Sequence, residues 1–164
     1  MGKRTIEFDL SEEGLARAIR DIELYRDAFL KACADAMQEL VNDGIMYAKA
    51  QIESMGAIES GELLGSIQGY YEPDKHVGVI FSDCWYAIFV EYGTGIVGQQ
   101  NPHPDPPASW TYDVNEYGDA GWYYYDAKQG RGRWTKGQAS ARFLYEAKKL
   151  IRNNAPKKFA AMFR

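Results

Sequence analysis

Trp85-Tyr86-Ala87-Ile88-Phe89-Val90-Glu91-Tyr92-Gly93-Thr94-Gly95 carries the reading on which the fold turns. Residues 86–92 are apolar almost throughout, which predicts a strand buried on both faces and central to a sheet. The run ends in a glycine-flanked corner with one acid, Glu91, and one hydroxyl, Thr94. Two readings of that corner stay open. It is the lip of an active site, or it is a rigid turn that aims a loop at a neighbouring subunit.

Working upstream, residues 63–71 and 77–81 read as two further strands. Pro73-Asp74-Lys75-His76 between them is a turn, with His76 expected in solvent. Residues 54–61 are small, polar and glycine-containing, and read as a loop. Before them, Phe29, Cys33, Met37, Leu40, Val41, Ile45, Ala48 and Ile52 recur at three- and four-residue steps. That is the stripe of an amphipathic helix over residues 27–53, about 40 Å long at roughly 1.5 Å per residue. Asn42-Asp43-Gly44 is a candidate kink within it. Ser11 followed by Glu12 and Glu13 predicts a helix start, a cap with acids in the first turn. Leu15, Ile19 and Ile22 continue one face of that helix. Residues 5–10 alternate Ile6, Phe8 and Leu10 with polar neighbours and predict a short strand.

Downstream the chain changes character over residues 95–121. Gly98-Gln99-Gln100-Asn101-Pro102-His103-Pro104-Asp105-Pro106-Pro107 is expected to form neither helix nor central strand. It reads as a long exposed loop, functional or disordered. His103 is flanked by prolines and has no partner at metal-ligand spacing. Gly121-Trp122-Tyr123-Tyr124-Tyr125, with Arg133-Trp134-Thr135 after it, reads as an aromatic hairpin or flap. Residues 139–153 predict a second amphipathic helix, with Phe143, Leu144, Ala147, Leu150 and Ile151 on one side. Pro156 is expected to end it or to start a last short turn. Phe159, Met162 and Phe163 leave an apolar end for packing on the domain or on a partner. The order predicts α+β: a long N-terminal helix packed on a small antiparallel sheet, a loop and flap insertion at residues 96–136, and a C-terminal helix.

The 164 residues suit a single domain over residues 1–164. A hydrophobic content of 46% excludes disorder by composition. Twelve Tyr and four Trp point equally to a contact surface and to a β-rich core. A formal charge of −4 argues against a dedicated nucleic-acid binder, without excluding DNA that passes nearby. Residues 128–164 are basic, as a solvated face or as a docking site for an acidic partner. Cys33 and Cys84 resemble neither a zinc site nor a redox pair, and two free thiols fit a reducing compartment. Met1-Gly2-Lys3-Arg4-Thr5 lacks the apolar core of a signal peptide. No run approaches the ~18 apolar residues of a membrane span. The chain is therefore expected to be made and used without crossing a membrane by those routes.

Catalytic constellations are scarce. There is no GxSxG elbow, phosphate loop or HExxH. Gln129-Gly130-Arg131-Gly132 lacks the strand and the spacing of a phosphate cradle. His76 and His103, both expected in loops, argue against a histidine triad. Glu91 would serve as a general acid or base if buried beside the aromatics. The preferred role is structural: an acid accepting hydrogen bonds from backbone amides of the Gly93-Thr94-Gly95 corner, which Thr94 caps. Arg131 and Arg133 beside Trp134 offer one place to stack a base, weak evidence in an acidic chain.

Ser60-Gly61-Glu62-Leu63-Leu64-Gly65-Ser66-Ile67 resembles the "S/T-G-x-L-x-x-S-I" segment of the head–tail joining family of long-tailed bacteriophages and prophages. These are neck, tail-completion or minor tail components. Tyr86-Ala87-Ile88-Phe89-Val90-Glu91-Tyr92-Gly93-Thr94-Gly95 resembles that family's "YAxxVExGTG" signature. Gly137-Gln138-Ala139-Ser140-Ala141-Arg142-Phe143-Leu144-Tyr145-Glu146-Ala147 is similar to its closing "GxxAxPFLxxA" helix start. The order agrees over residues 10–155. Arg142 stands where the family usually has proline, so the last helix is expected to start earlier or to enter differently.

The resemblance implies a virion structural protein of the neck and tail, present in the host cytoplasm during assembly, and no enzyme, cofactor or metal. It implies a homo-oligomeric ring, hexameric by expectation, docking to connector or stopper proteins and to tail-terminator or tail-tube proteins. DNA would at most pass through the lumen, and no membrane is involved. Gly61, Leu63, Ser66, Tyr86, Glu91, Tyr92, Gly93, Thr94, Gly95 and Phe143 would be structural. Pro102, Pro104, Trp110, Trp122, Tyr124, Trp134 and Phe163 are the candidate interface. A ring interface is heterologous, one patch meeting a different patch on the next copy. The alternatives are a tail terminator capping the tube, a small enzymatic or ligand-binding domain with Glu91, Tyr92 and the Trp122/Trp134 flap as its pocket, and a single-stranded nucleic-acid binder using the same aromatics.

Overall fold

The structure is a computed structural model that describes residues 5–56, 61–117, 120–126 and 129–162. Its first element is α1, Glu12–Ser54. Ser11 is the cap: its Oγ accepts from the Gly14 amide at 3.0 Å, and the Asp9 carboxylate holds both its amide and its hydroxyl. The two helical patterns of the sequence are one helix of 43 residues, about 65 Å long at roughly 1.5 Å per residue. It does not end at Asn42-Asp43-Gly44. Gly44 is a packing position, because a Cβ there would overlap the Cδ1 atoms of Ile80 and Ile151. The strand expected over residues 5–10 is absent; that segment is irregular, and Phe8 and Leu10 are exposed.

The loop expected over residues 54–61 opens with a turn at Met55 and Gly56, and residues 57–60 lie outside the described residues. Leu63 is not in a strand. α2, Glu62–Ser66, is a single turn closed by Ser66 Oγ donating to the Leu63 carbonyl at 2.8 Å. β1, Ile67–Glu72, then pairs antiparallel with β2, Val77–Ser82, from Ile67↔Ser82 to Glu72↔Val77. Pro73–Lys75 forms the turn between them, and His76 is exposed as expected. Gly69 and Gly78 let α1 lie close on this hairpin: a Cβ at either would stand within 3 Å of a Val41 methyl, at 2.9 and 2.8 Å.

The central correction falls on residues 86–92, which form no strand. α3, Ala87–Tyr92, is a helix, with Val90 donating to the Tyr86 carbonyl at 3.3 Å and Gly93 to that of Phe89 at 2.9 Å. Ala87, Val90 and Glu91 face inward at helical spacing, while Trp85 and Ile88 are exposed. Both faces are apolar, so the run shows no period. α4, Gly95–Gln100, follows, so Gly98 to Gln100 are helical after all. The aromatic hairpin is present as β3, Trp122–Asp126, paired with β4, Arg131–Thr135, in a second two-stranded sheet.

α5, Phe143–Met162, begins later and runs further than expected. Pro156 lies inside it, on its exposed side. The helix is held to α1 on both sides of the proline, by Ile151 against Gly44 and by Lys158 Nζ at 2.8 Å from Glu39 and 3.3 Å from Asp43. Those contacts keep the helix in place past the lost hydrogen bond. With Gln51 Nε2 donating to the Ala141 carbonyl at 3.2 Å, they also fix α5 antiparallel to α1. The core gathers around the fully buried Phe143, with Ala48, Ile52, Leu63, Ile67 and Val90. The α+β class holds, with two small sheets that lie in chain order between the long helix and the C-terminal helix. Among the described residues no helix is long and apolar enough to cross a membrane.

Candidate functional site

The glycine corner is a place where two backbones run against each other. Thr94 and Gln138 exchange amide–carbonyl bonds of 2.9 and 3.0 Å, and the Ala141 amide donates to the Val90 carbonyl at 2.9 Å. Gln138 Nε2 and Ser140 Oγ add bonds to the Phe89 and Glu91 carbonyls at 3.0 and 2.8 Å. A Cβ on Gly93 would stand 2.7 Å from the Ser140 nitrogen, and Gly93 has φ 79°. Only glycine satisfies both conditions there. Thr94 is buried, but its side chain caps nothing; its backbone makes the bridge.

Glu91 points from α3 into the start of α5. Arg142 has φ 55°, and the helix begins at the next residue. The free amides of its first turn then face the carboxylate: Leu144 donates to Oε2 at 2.9 Å and Tyr145 to Oε1 at 2.9 Å. A buried acid thus caps a 20-residue helix from another part of the chain, where the helix dipole favours negative charge. The donors were expected in residues 93–95 and are instead the α5 amides.

His103 completes the cluster. The loop around it was expected to be exposed, yet the ring is buried, Nε2 lying 3.2 Å from Glu91 Oε1. Nδ1 accepts from the Asp105 amide at 3.0 Å. That bond assigns the proton to Nε2, which donates to Glu91. The side chains of His103 and Glu91 are 3% and 6% exposed. Tyr92 and Tyr145 place their rings 4.7 and 5.1 Å from the imidazole, both near edge-on. The Tyr92 phenol is raised above its ordinary pKa of 10.0, first by burial and then by the charges of Glu91 and Asp105.

The proline segment is therefore stapled down. Tyr112 OH accepts from the His103 amide at 3.3 Å, and the Tyr112 carbonyl accepts from Gly95 at 2.6 Å. Trp110 is half-buried in a row with Phe89, Tyr92 and Tyr112, and so packs the loop on the body. Pro102 and Pro104 stay exposed, with Arg142 Nη2 on the Pro102 carbonyl at 2.9 Å. The remaining structural positions are divided: Leu63, Ser66 and Phe143 are buried, Tyr86 is half-buried, and Gly61 is exposed at the α2 start with φ 79°. Phe163 lies outside the described residues.

The hairpin divides its aromatics by strand alternation. Trp122 is half-buried, and Tyr124 shares its face. Trp134 is exposed on the other face beside Tyr123, with ring centroids 5.0 Å apart. Tyr123 and Tyr125, at 72% and 70%, are more exposed than either candidate on that strand. Strand alternation around Trp134 was the signal that identifies them. Trp122 and Trp134 make no ring contact with Tyr92, where the pocket reading needed them; Trp110 takes that place. A cleft of about 340 Å³ opens between Tyr47, Gln51, Ser140, Arg142 and Glu146, but neither Glu91 nor His103 lines it. Among the described residues no three His, Cys, Asp or Glu side chains converge on a metal position. Cys33 and Cys84 are free, and only Cys84 is fully buried.

Sequence reasoning also passed over the apolar surface of the first half of α1. Leu15, Ile19, Ile22, Leu24 and Leu30 are exposed, although three of them were read as an ordinary helix face. No family model, curated protein or solved structure matches this chain.

Proposed function

We propose that the chain is a structural subunit of a phage neck, joining or completing the tail at the head connector as part of a homo-oligomeric ring. The observation that carries this reading is the amount of apolar surface a single copy leaves bare in two separate places. Leu15, Ile19, Ile22, Leu24 and Leu30 are uncovered on α1, and Tyr123, Tyr125 and Trp134 on the hairpin. Uncovered apolar patches on a soluble chain mark contacts with other proteins. Two different patches suit the heterologous contacts of a ring.

The resemblance to the head–tail joining family supports the same reading, since its residues build the junction of α3 with α5. Glu91 acts in that junction as a helix cap. Its two oxygens accept from two amides and an imidazole, and both the acid and the imidazole are buried side chains. The partners proposed are connector or stopper proteins and tail-terminator or tail-tube proteins, with the virion neck as the location and no cofactor required. The test is the mass of the purified full chain, alone and mixed with connector and tail-tube proteins. A ring, or a monomer driven into a ring by those partners, is expected. A monomer indifferent to all of them overturns the proposal.

A further inference from the structure

The charge of this chain is split along its length. Residues 1–127 hold 8 Lys and Arg against 22 Asp and Glu, net −14; residues 128–164 hold 11 against 1, net +10. The split has a place in the fold. Lys158 of α5 sits beside Glu39 and Asp43, four residues before the helix ends. The β1–β2 hairpin reaches α1 at Met37, Val41 and Ile45. The start of α1, residues 12–27, therefore projects beyond both as an arm of about 24 Å. Leu15, Ile19 and Ile22 form a stripe along it at helical spacing. Residues 5–27 carry seven acids against three arginines, net −4. Glu12, Glu13, Asp21 and Glu23 have no ion-pair partner among the described residues.

The β3–β4 hairpin lies at the other end of α1. Its base is tied to the glycine corner by Val97 donating to the Lys136 carbonyl at 3.3 Å. The corner is tied through Val90 and Ala141 to Gln51 of α1. Residues 121–137 carry four cations against Asp126 alone, net +3. Tyr123, Tyr125 and Trp134 stand exposed on one face, while Arg131 is exposed on the other face of β4 and Lys136 just past its end. Each end offers apolar surface on a segment of one net sign, and the net signs are opposite. The two ends cannot meet within one copy, because more than twenty helical residues separate Gln51 from the arm.

We infer that the arm of α1 in one copy is received by the aromatic, basic hairpin of the next copy, head to tail. This rests on the self-association in the proposed function and names the surfaces that carry it. A contact between different patches of identical chains closes into a ring when its rotation allows. The apolar stripe supplies the burial, and the charges set register and polarity, because like-charged ends repel.

The test is sedimentation of the full chain over a concentration series, with three comparisons. One variant reverses the arm, Asp21→Lys with Glu23→Lys. A second reverses the hairpin, Arg131→Glu with Lys136→Glu. The third sample is their equimolar mixture. All four positions are exposed and outside the core, and circular dichroism verifies that the fold is kept. The wild type is expected to associate, more weakly as salt rises. Each variant alone is expected to associate about tenfold more weakly or worse, and the mixture to recover wild-type association. Variants that associate like the wild type, or a mixture that does not recover, overturn the arm–hairpin contact and leave self-association standing. A wild type that stays monomeric alone but binds a tail-tube protein through the arm overturns the second copy as occupant and keeps the neck reading. A wild type that is monomeric alone and with all those partners overturns both.

Discussion

Glu91 explains why an acid stands before the glycine corner. It satisfies two amides that the start of α5 would otherwise bury without partners, and it accepts from His103 Nε2 as a third donor. Glu91→Gln keeps the shape but turns one acceptor into a donor that faces an amide. An unsatisfied buried group costs about 1–3 kcal/mol, so thermal unfolding followed by circular dichroism should show a Tm several degrees lower. An unchanged Tm would mean that the carboxylate does not cap α5. Tyr92 reports on the same cluster. Its folded pKa is raised by burial and by the neighbouring acids, whereas the unfolded chain ionises near the ordinary 10.0. The neutral phenol is thus favoured by the fold. Its contribution is fully present below pH 10.0 and is lost as pH rises through the folded value. A difference titration by ultraviolet absorbance between the wild type and Tyr92→Phe should place this phenol above the other tyrosines. A midpoint at or below the ordinary value would mean that Tyr92 is open to water. None of this was legible locally: the donors to Glu91 lie 53 and 54 residues away, and His103 sits between prolines that suggest a loop in solvent.

Elements were legible where one local cause decided them. Ser11 with Glu12 and Glu13 marked the start of α1, and Pro73 to His76 marked the turn between β1 and β2. The two aromatic runs, Trp122 to Tyr125 and Arg133-Trp134-Thr135, marked the β3–β4 hairpin. Elements failed where tertiary packing overrode the pattern. α3 is apolar inside at Ala87 and Val90 and apolar outside at Ile88, so its helical period is hidden and the run imitates a buried strand. Residues 5–10 alternate like a strand but have no strand beside them. Gly44 imitates a kink and is instead a groove between Ile80 and Ile151. Its substitution weighs two opposed effects. Gly44→Ala recovers about 1 kcal/mol of helix propensity. The added methyl meets side chains of two different elements, and overpacking costs about 1–3 kcal/mol. Because β2 and α5 close on the same point, the packing cost should win. The urea midpoint should fall, and a higher midpoint would show that the two isoleucines move aside.

At the scale of the whole molecule, α1 belongs to two environments. From Ala36 to Ile52 its inner face is buried under the β1–β2 hairpin and α5. From Glu12 to about Asp27 it is an arm whose Gly14 and Ala18 are buried, with Asp9 against Gly14, while its apolar stripe is exposed. Isolated helices of roughly 12–15 residues are marginal in water. The arm should therefore open far more easily than the part that shares the core, although both are turns of one helix. Hydrogen exchange on the dilute full chain tests this directly. Amides of residues 15–27 should exchange at the low-stability end, while those of residues 40–52 should open only with global unfolding. Uniform protection along α1 would mean that something in the single copy already covers the arm, and the bare stripe would lose its meaning as a contact. In the assembled ring the same arm amides should gain protection, together with those of β3 and β4. Protection gained by the arm alone would assign its cover to a different partner. Gains at both ends, in one assembly of one chain, are the signature of head-to-tail contact between an acidic arm and a basic hairpin.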